Sequence, residues 1–202
     1  MMLNEETAIA SGALPVAEFR DHLRLGTGFA DLGAEDAALE AYLRAAIAAI
    51  EGRTSKVLIS RDYTLTLAYW RTAESQPLPI APVSAVASVT LRDRAGVGTL
   101  VEAERYRLVA DLSRPRIEPI SGLLPSIATG GTVEIAFTAG FGVSWSELPV
   151  DLAQAVFLLA AQYYENRHDG GMSGEAMPFG VMALIERWRT VRVLGGYGGA
   201  RG

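Results

Sequence analysis

A chain of 202 residues is long enough to bury a sizeable core, and it suits one domain, or one domain with an elaboration, better than two full domains. Half of its residues are hydrophobic, only 20% are charged and the mean hydropathy is +0.20, against roughly 25% charged residues in ordinary soluble proteins, so surface hidden in an assembly is expected. A net charge of -5 argues against a sequence-independent grip on nucleic acid over the whole surface, and zero cysteines exclude a disulfide framework, thiolate metal sites and thiol catalysis.

The start, MMLNEETAIASG, has no basic region followed by an apolar one, so it does not read as a signal peptide and a cytoplasmic chain is expected. Residues 1–13 read as a flexible arm. A short first helix is expected over residues 14–25, LPVAEFRDHLRL, with Pro15 at its start and Val16, Phe19 and Leu23 on one side. The glycines of GTGFADLG interrupt it. A longer helix over residues 34–50 then follows, rich in strong helix formers, with Leu39, Tyr42 or Leu43, Ala46, Ile47 and Ile50 along a face and an end near Gly52.

From Lys56 the pattern changes to alternation, with Leu65, Leu67 and Tyr69 set apart from Thr64, Thr66 and Ala68. Further short strands are predicted around residues 83–92, 99–101, 106–109, 116–119 and 132–137, punctuated by Gly, Pro and Asp clusters such as DRAGVG. The spacings leave no room for crossover helices, which predicts a mostly antiparallel meander rather than a parallel α/β sheet.

The segment LPVDLAQAVFLLAAQYYENRH, residues 148–168, opens with Pro149 and Asp151, both suited to a first helical turn. Leu152, Ala155, Val156, Leu159 and Tyr163 share one face, yet Phe157, Leu158 and Ala161 fill others, so a one-sided surface helix fits poorly. Either the rest of the domain or neighbouring subunits must cover it. Gln154 and Gln162 interrupt the run, which falls short of the ~18 to 20 apolar residues that span a bilayer. DGGMSGEAMP, residues 169–178, has the composition of a mobile loop, and residues 179–193 resume helical spacing through Val181, Leu184, Ile185 and Trp188. The ending LGGYGGARG offers too little side chain to offset its backbone entropy and is expected to order only on a partner.

An α+β fold follows: a small helical bundle closed by helices from both ends of the chain, carrying one antiparallel β-rich insertion. The expected divisions are a flexible arm over residues 1–13, bundle over 14–56, insertion over 57–142, bundle over 143–194 and a flexible tail over 195–202.

Catalytic signatures are sparse. No G-x-S-x-G elbow, P-loop or dinucleotide fingerprint occurs, and Gly26-Thr27-Gly28 reads as a helix-breaking loop. His22 and His168 come without metal-ligand spacing and read as solvated or dipole-complementing residues. Glu35, Asp36 and Glu40 suit a helix N-terminal region, while Glu102 and Glu104 suit a solvated turn. Arg187, Arg189, Arg192 and Arg201, interleaved with Trp188 and Tyr197, are the candidate partner-binding residues. Phosphate contact, complementation of a helix dipole and docking of the glycine-spaced tail on another protein are the open readings, the dipole role being commoner than phosphate contact.

Seven segments carry a resemblance when taken in order: LPVAEFRDHLRL; AALEAYLRAAIAAIEGRTSKVLISRDYTLTLAYW; PLPIAPVSAVASVTLRDRAG; YRLVADLSRPRIEP; VEIAFTAGFG; LPVDLAQAVFLLAAQYYENRH; and MPFGVMALIERWRTVR. Together they resemble the head-tail connector proteins (adaptors, or head-completion proteins) of long-tailed bacteriophages and the related adaptor of phage-like gene transfer particles. The likeness covers roughly residues 14–193, with the strand, F-T-A-G-F-G, L-P-V-D-L and Y-Y-E-N-R its most specific parts.

The resemblance implies a helical bundle with a β-rich insertion, assembled as a ring, commonly of twelve copies, beneath the portal protein. That ring extends the DNA channel and offers a surface to the stopper or tail. It implies no catalysis, cofactor or metal, no membrane, and DNA that passes without specific binding, in a particle assembled in the bacterial cytoplasm. The glycine-rich ending after Leu194 departs from the pattern, and a portal-binding role for it is our own expectation. The rivals are a stopper or tail terminator, which would be mainly β, a small enzyme, and a nucleic-acid-binding module.

Overall fold

The computed structural model describes residues 1–25, 32–168 and 177–189. Two cores organise them, one between helices and one between sheets. Helices α1 (Val16–His22), α2 (Leu32–Thr54), α3 (Val150–Glu165) and α4 (Phe179–Ile185) build the first. Residues in the left-handed region end the first two helices: Arg24 follows α1 at φ 55° and Ser55 follows α2 at φ 57°. Phe19, Leu39, Leu43, Ile47 and Ile50 meet Leu152, Val156, Leu159, Val181 and Ile185 there, all at most 2% exposed. Each such side chain stabilises the fold by roughly 1.5–3 kcal/mol relative to exposure.

The apolar character of α3 on several faces has a local explanation. Phe157, off the main buried face, stacks on Trp145 with centroids 5.2 Å apart and lies 5.7 Å from Phe19 and 5.4 Å from His22. The protein's own elements therefore cover most of the helix, while Val150 and Leu158 remain exposed.

The second core lies between a five-stranded sheet and a three-stranded one. Strands β1 (Met2–Glu5), β2 (Arg61–Leu67), β4 (Val83–Arg92), β5 (Gly98–Leu100) and β8 (Thr132–Ala139) form the larger sheet in the order β1-β2-β8-β4-β5. Strands β3 (Gln76–Pro77), β6 (Tyr106–Val109) and β7 (Arg116–Pro119) form the smaller, in the order β3-β7-β6. Alternation sends Tyr63, Leu65 and Leu67 of β2 and Val133, Ile135, Phe137 and Ala139 of β8 inward, where Ile117 and Tyr106 of the smaller sheet join the same core.

All pairings in both sheets are antiparallel, as expected, but the chain does not run as a meander. Consecutive strands pair only at β1–β2, where two helices intervene, and at β4–β5 and β6–β7, while β8 inserts between β2 and β4. Its alternating TVEIAFTA buries every second residue and leaves the others half-buried, which suits a central position.

Two other expectations are corrected. The first residues were expected as a flexible arm, yet Met2–Glu5 is an edge strand and Ile9 is buried; the open edge of β2 and the helical core supply the partners that MLNEETAI lacks by itself. The last helix was expected to run to residue 193, but α4 ends at Ile185, continues as a 3-10 turn over Glu186–Trp188 and is extended at Arg189. The loop expected at 169–178 lies outside the described residues except for Met177 and Pro178, and the tail over 195–202 lies wholly outside them.

Candidate assembly surface

The cores meet where β2 and β8 run into the helices. Ser60 N–H donates to Gly142 O at 2.8 Å, Phe141 N–H to Leu58 O at 3.1 Å and Gly140 N–H to Pro82 O at 3.0 Å. This junction accounts for the glycines of F-T-A-G-F-G. Gly140 has φ 142°, and a Cβ there would run into the backbone of Ser60; a Cβ on Gly142 would run into the side chain of Glu147. Glu147 in turn accepts from the Ser144 N–H at 2.8 Å and hydroxyl at 2.9 Å, contacts that hold its carboxyl below the ordinary value and fix the approach to α3.

A charge cluster braces the same junction from the other side. The buried Arg61 guanidinium donates to both Glu51 oxygens, at 2.6 and 2.5 Å, and to Glu5 Oε1 at 2.9 Å, so α2, β2 and β1 share one cation. Glu51 Oε1 also accepts from the Leu58 N–H at 2.7 Å. Burial pushes the Glu51 carboxyl above its ordinary value, with Arg61 and the Leu58 N–H pulling the other way. Arg44 extends the brace along the N-terminal segment, donating to Ile9 O at 2.9 Å and to Glu40 Oε1 at 2.7 Å. A cleft of about 230 Å³ beside it is lined by Glu5, Ile9, Arg44, Ile47, Glu51 and Arg61.

Sequence reasoning missed this cluster. Glu51 and Arg61 lie ten residues apart on different elements, and no spacing rule joins them to Glu5.

Three of the expected partner-binding residues lie in the turn after α4. Trp188 faces inward: its Nε1–H donates to Asp151 Oδ2 at 2.7 Å and its ring meets Phe141 edge-on at 5.3 Å. Arg187 donates to the same Asp151 oxygen at 2.7 Å and lies over the Trp188 ring, yet 69% of its side chain is exposed. Arg189, also exposed, pairs with Glu186 at 3.0 Å. The turn is thus pinned through Trp188 to the first turn of α3 and shows two guanidinium groups outward. Arg192, Tyr197 and Arg201 lie outside the described residues. Among the described residues no cluster of three metal-ligating side chains occurs, and no helix is long and apolar enough to cross a membrane.

Comparison with protein-family models gives no match, and comparison with curated proteins gives none. Solved structures do match. The chain aligns over 97% of its length, at 72% identity and a TM-score of 0.87, with 99% of a chain in the neck of an empty gene transfer agent (GTA) particle computed with C6 symmetry. The chain belongs to the GTA neck proteins.

A chain in the virion of the native gene transfer agent particle matches at 72% identity and a TM-score of 0.85, covering 97% of this chain and 99% of that one. The neck of the native GTA particle computed with C12 symmetry matches at 66% identity and 0.83, over the same shares. The resemblance to connectors of phage-like particles is borne out at the level of the neck, and so is the α+β fold. A GTA neck protein is a structural part of its particle, and the two cores, locked at Gly140 and Arg61, give this one a stiff frame.

Proposed function

We propose that this GTA neck protein is the adaptor at the head-tail junction: a ring of twelve copies between the portal protein and the stopper or tail, continuing the channel through which DNA passes. The observation that carries the reading is the likeness, over nearly the whole chain, to a neck computed with C12 symmetry. A twelve-fold ring also obeys six-fold symmetry, so the likeness to the C6 neck agrees with it.

Helix content favours the adaptor over the mainly β alternatives, because α2 spans 23 residues and α3 spans 16. We read the role as structural rather than enzymatic, since the charges inside the protein serve as braces: Arg61 and Glu51 neutralise each other between elements, and Lys56, 1% exposed, donates to Leu112 O at 2.7 Å. A net charge of -5 suits a conduit that must not hold DNA, because it weakens the counterion release that drives binding to the duplex. The portal would be engaged by the segment from Arg187 onward, with Trp188 anchoring its base, Arg187 and Arg189 facing outward, and Arg192, Tyr197 and Arg201 following.

Electron microscopy of particles carrying this chain tests the assignment. A ring of twelve copies directly below the portal is the expected outcome, with neckless heads when residues 190–202 are deleted. Density for the chain elsewhere in the particle, or a ring separated from the portal by another protein, would overturn it.

A further inference from the structure

The five-stranded sheet has two open edges whose unpaired backbone groups match one another. Just beyond β1, Glu6 N–H donates to Asp62 O at 2.8 Å while the Asp62 N–H goes to Thr7 Oγ1 at 2.9 Å, so the backbone of Glu6 faces β2. Antiparallel ladders alternate, so Asn4 and Met2 also face β2, while the N–H and C=O groups of Leu3 and Glu5 point away from the sheet. On β5, Asp93 N–H donates to Val97 O at 3.1 Å and Val101 N–H to Val89 O at 2.8 Å. The same alternation turns Gly98 and Leu100 outward. Among the described residues no hydrogen bond takes up the outward groups of these four residues.

We propose that β5 of one copy pairs with β1 of the next, so that the larger sheet continues from subunit to subunit around the neck ring. The proposal rests on the ring reading above. A cyclic ring needs two different complementary patches on each subunit, and the opposite edges of one sheet are such patches. Neighbours in a twelve-fold ring differ by a rotation of about 30°, so corresponding strands in adjacent copies stay close to parallel. β1 and β5 run in the same direction within the sheet, because three antiparallel neighbours, β2, β8 and β4, separate them. By ladder polarity, the contact between copies is therefore a parallel one.

One register uses the free groups in turn. Leu3 N–H donates to Gly98 O of the neighbouring copy, Leu100 N–H of that copy donates to Leu3 O, and Glu5 N–H donates to Leu100 O. The faces agree as well. Leu3 lies opposite Leu65, and Thr99 opposite Leu91, which pairs with Val133, so both are on the core side. Asn4 lies opposite Thr64, and Leu100 opposite Thr90, which pairs with Glu134, so both are on the outer side. Met2 and Leu100, 55% and 66% exposed in the single chain, become diagonal neighbours on that outer side, and Asn4 comes to face Leu100. Three backbone bonds fix register, while area elsewhere on the subunit supplies the rest of a stable contact.

The absence of cysteine from the chain makes the test direct. In oxidised particles, the N4C/L100C double variant is expected to run as a ladder of covalent oligomers, and either single variant as monomer. Leu100→Pro removes a donor that no bond within the chain uses, so the free protein should keep its melting temperature while particles with complete necks fall at least tenfold. Monomeric N4C/L100C in particles whose necks are intact by electron microscopy would overturn the contact and leave the ring standing. Particles that contain this chain but no ring of it at the neck would instead overturn the ring, and the contact with it.

Discussion

Gly140 and Tyr63 show how much single positions constrain the frame. A methyl group at Gly140 has no room against the Ser60 backbone and imposes a φ of 142° on a residue that resists it. Gly140→Ala is therefore expected to destabilise the protein by about 2–3 kcal/mol in urea unfolding, the scale of one strained backbone position. Gly52, with open space around the added methyl group inside α2, should gain a few tenths of a kcal/mol to about 1 kcal/mol on the same change, and so serves as the control. Tyr63 is buried in the sheet core, stacked on Phe137 at 5.9 Å. Burial raises its pKa well above the ordinary 10.0, helped by the charges of Glu51 and Glu5 and opposed by Arg61. The folded chain keeps the phenol proton at a pH where the unfolded chain has lost it. The resulting stability is complete below pH 10 and declines as pH rises beyond it. Tyr63→Phe should flatten that alkaline decline, read as the urea midpoint at pH 8 and about pH 10.5, with Tyr106 and Tyr163, also raised by burial, sustaining the remainder.

At the scale of elements, the turn after α4 depends on one carboxylate. Asp151 Oδ2 takes both the Trp188 and the Arg187 donor, so Asp151→Ala should release the turn at a cost of roughly 1–2 kcal/mol, with faster amide exchange over residues 186–189. An unchanged exchange rate there would show that the contact does not hold the turn. The elements themselves were largely legible in the sequence. Residues 83–92, 106–109 and 116–119 alternate or are bounded by turn residues, and the strands occur at those positions. β1 was illegible because MLNE has too few residues for a period and is a strand only because β2 offers it an edge. The early end of α4 was illegible for a related reason: helical spacing continues to residue 193, and Asp151, 37 residues earlier, is what draws Trp188 inward. Arg187, Trp188 and Arg189 are consecutive, and nothing in their spacing separates the anchored Trp188 from its two outward neighbours.

For the whole molecule, strand order binds the two halves together. β2 pairs with β8 from Leu67–Val133 to Arg61–Ala139, and α2 packs on α3, so each core joins residues from before position 68 to residues from beyond position 131. Non-local closure of this kind delays folding, because neither core gains its main contacts until the later segments are present. A ribosome that has translated only the first two-thirds of the message holds two helices and several strands with their apolar faces still uncovered. The subunit consequently matures as a single late event, and an interrupted translation product has no finished face to offer a growing neck.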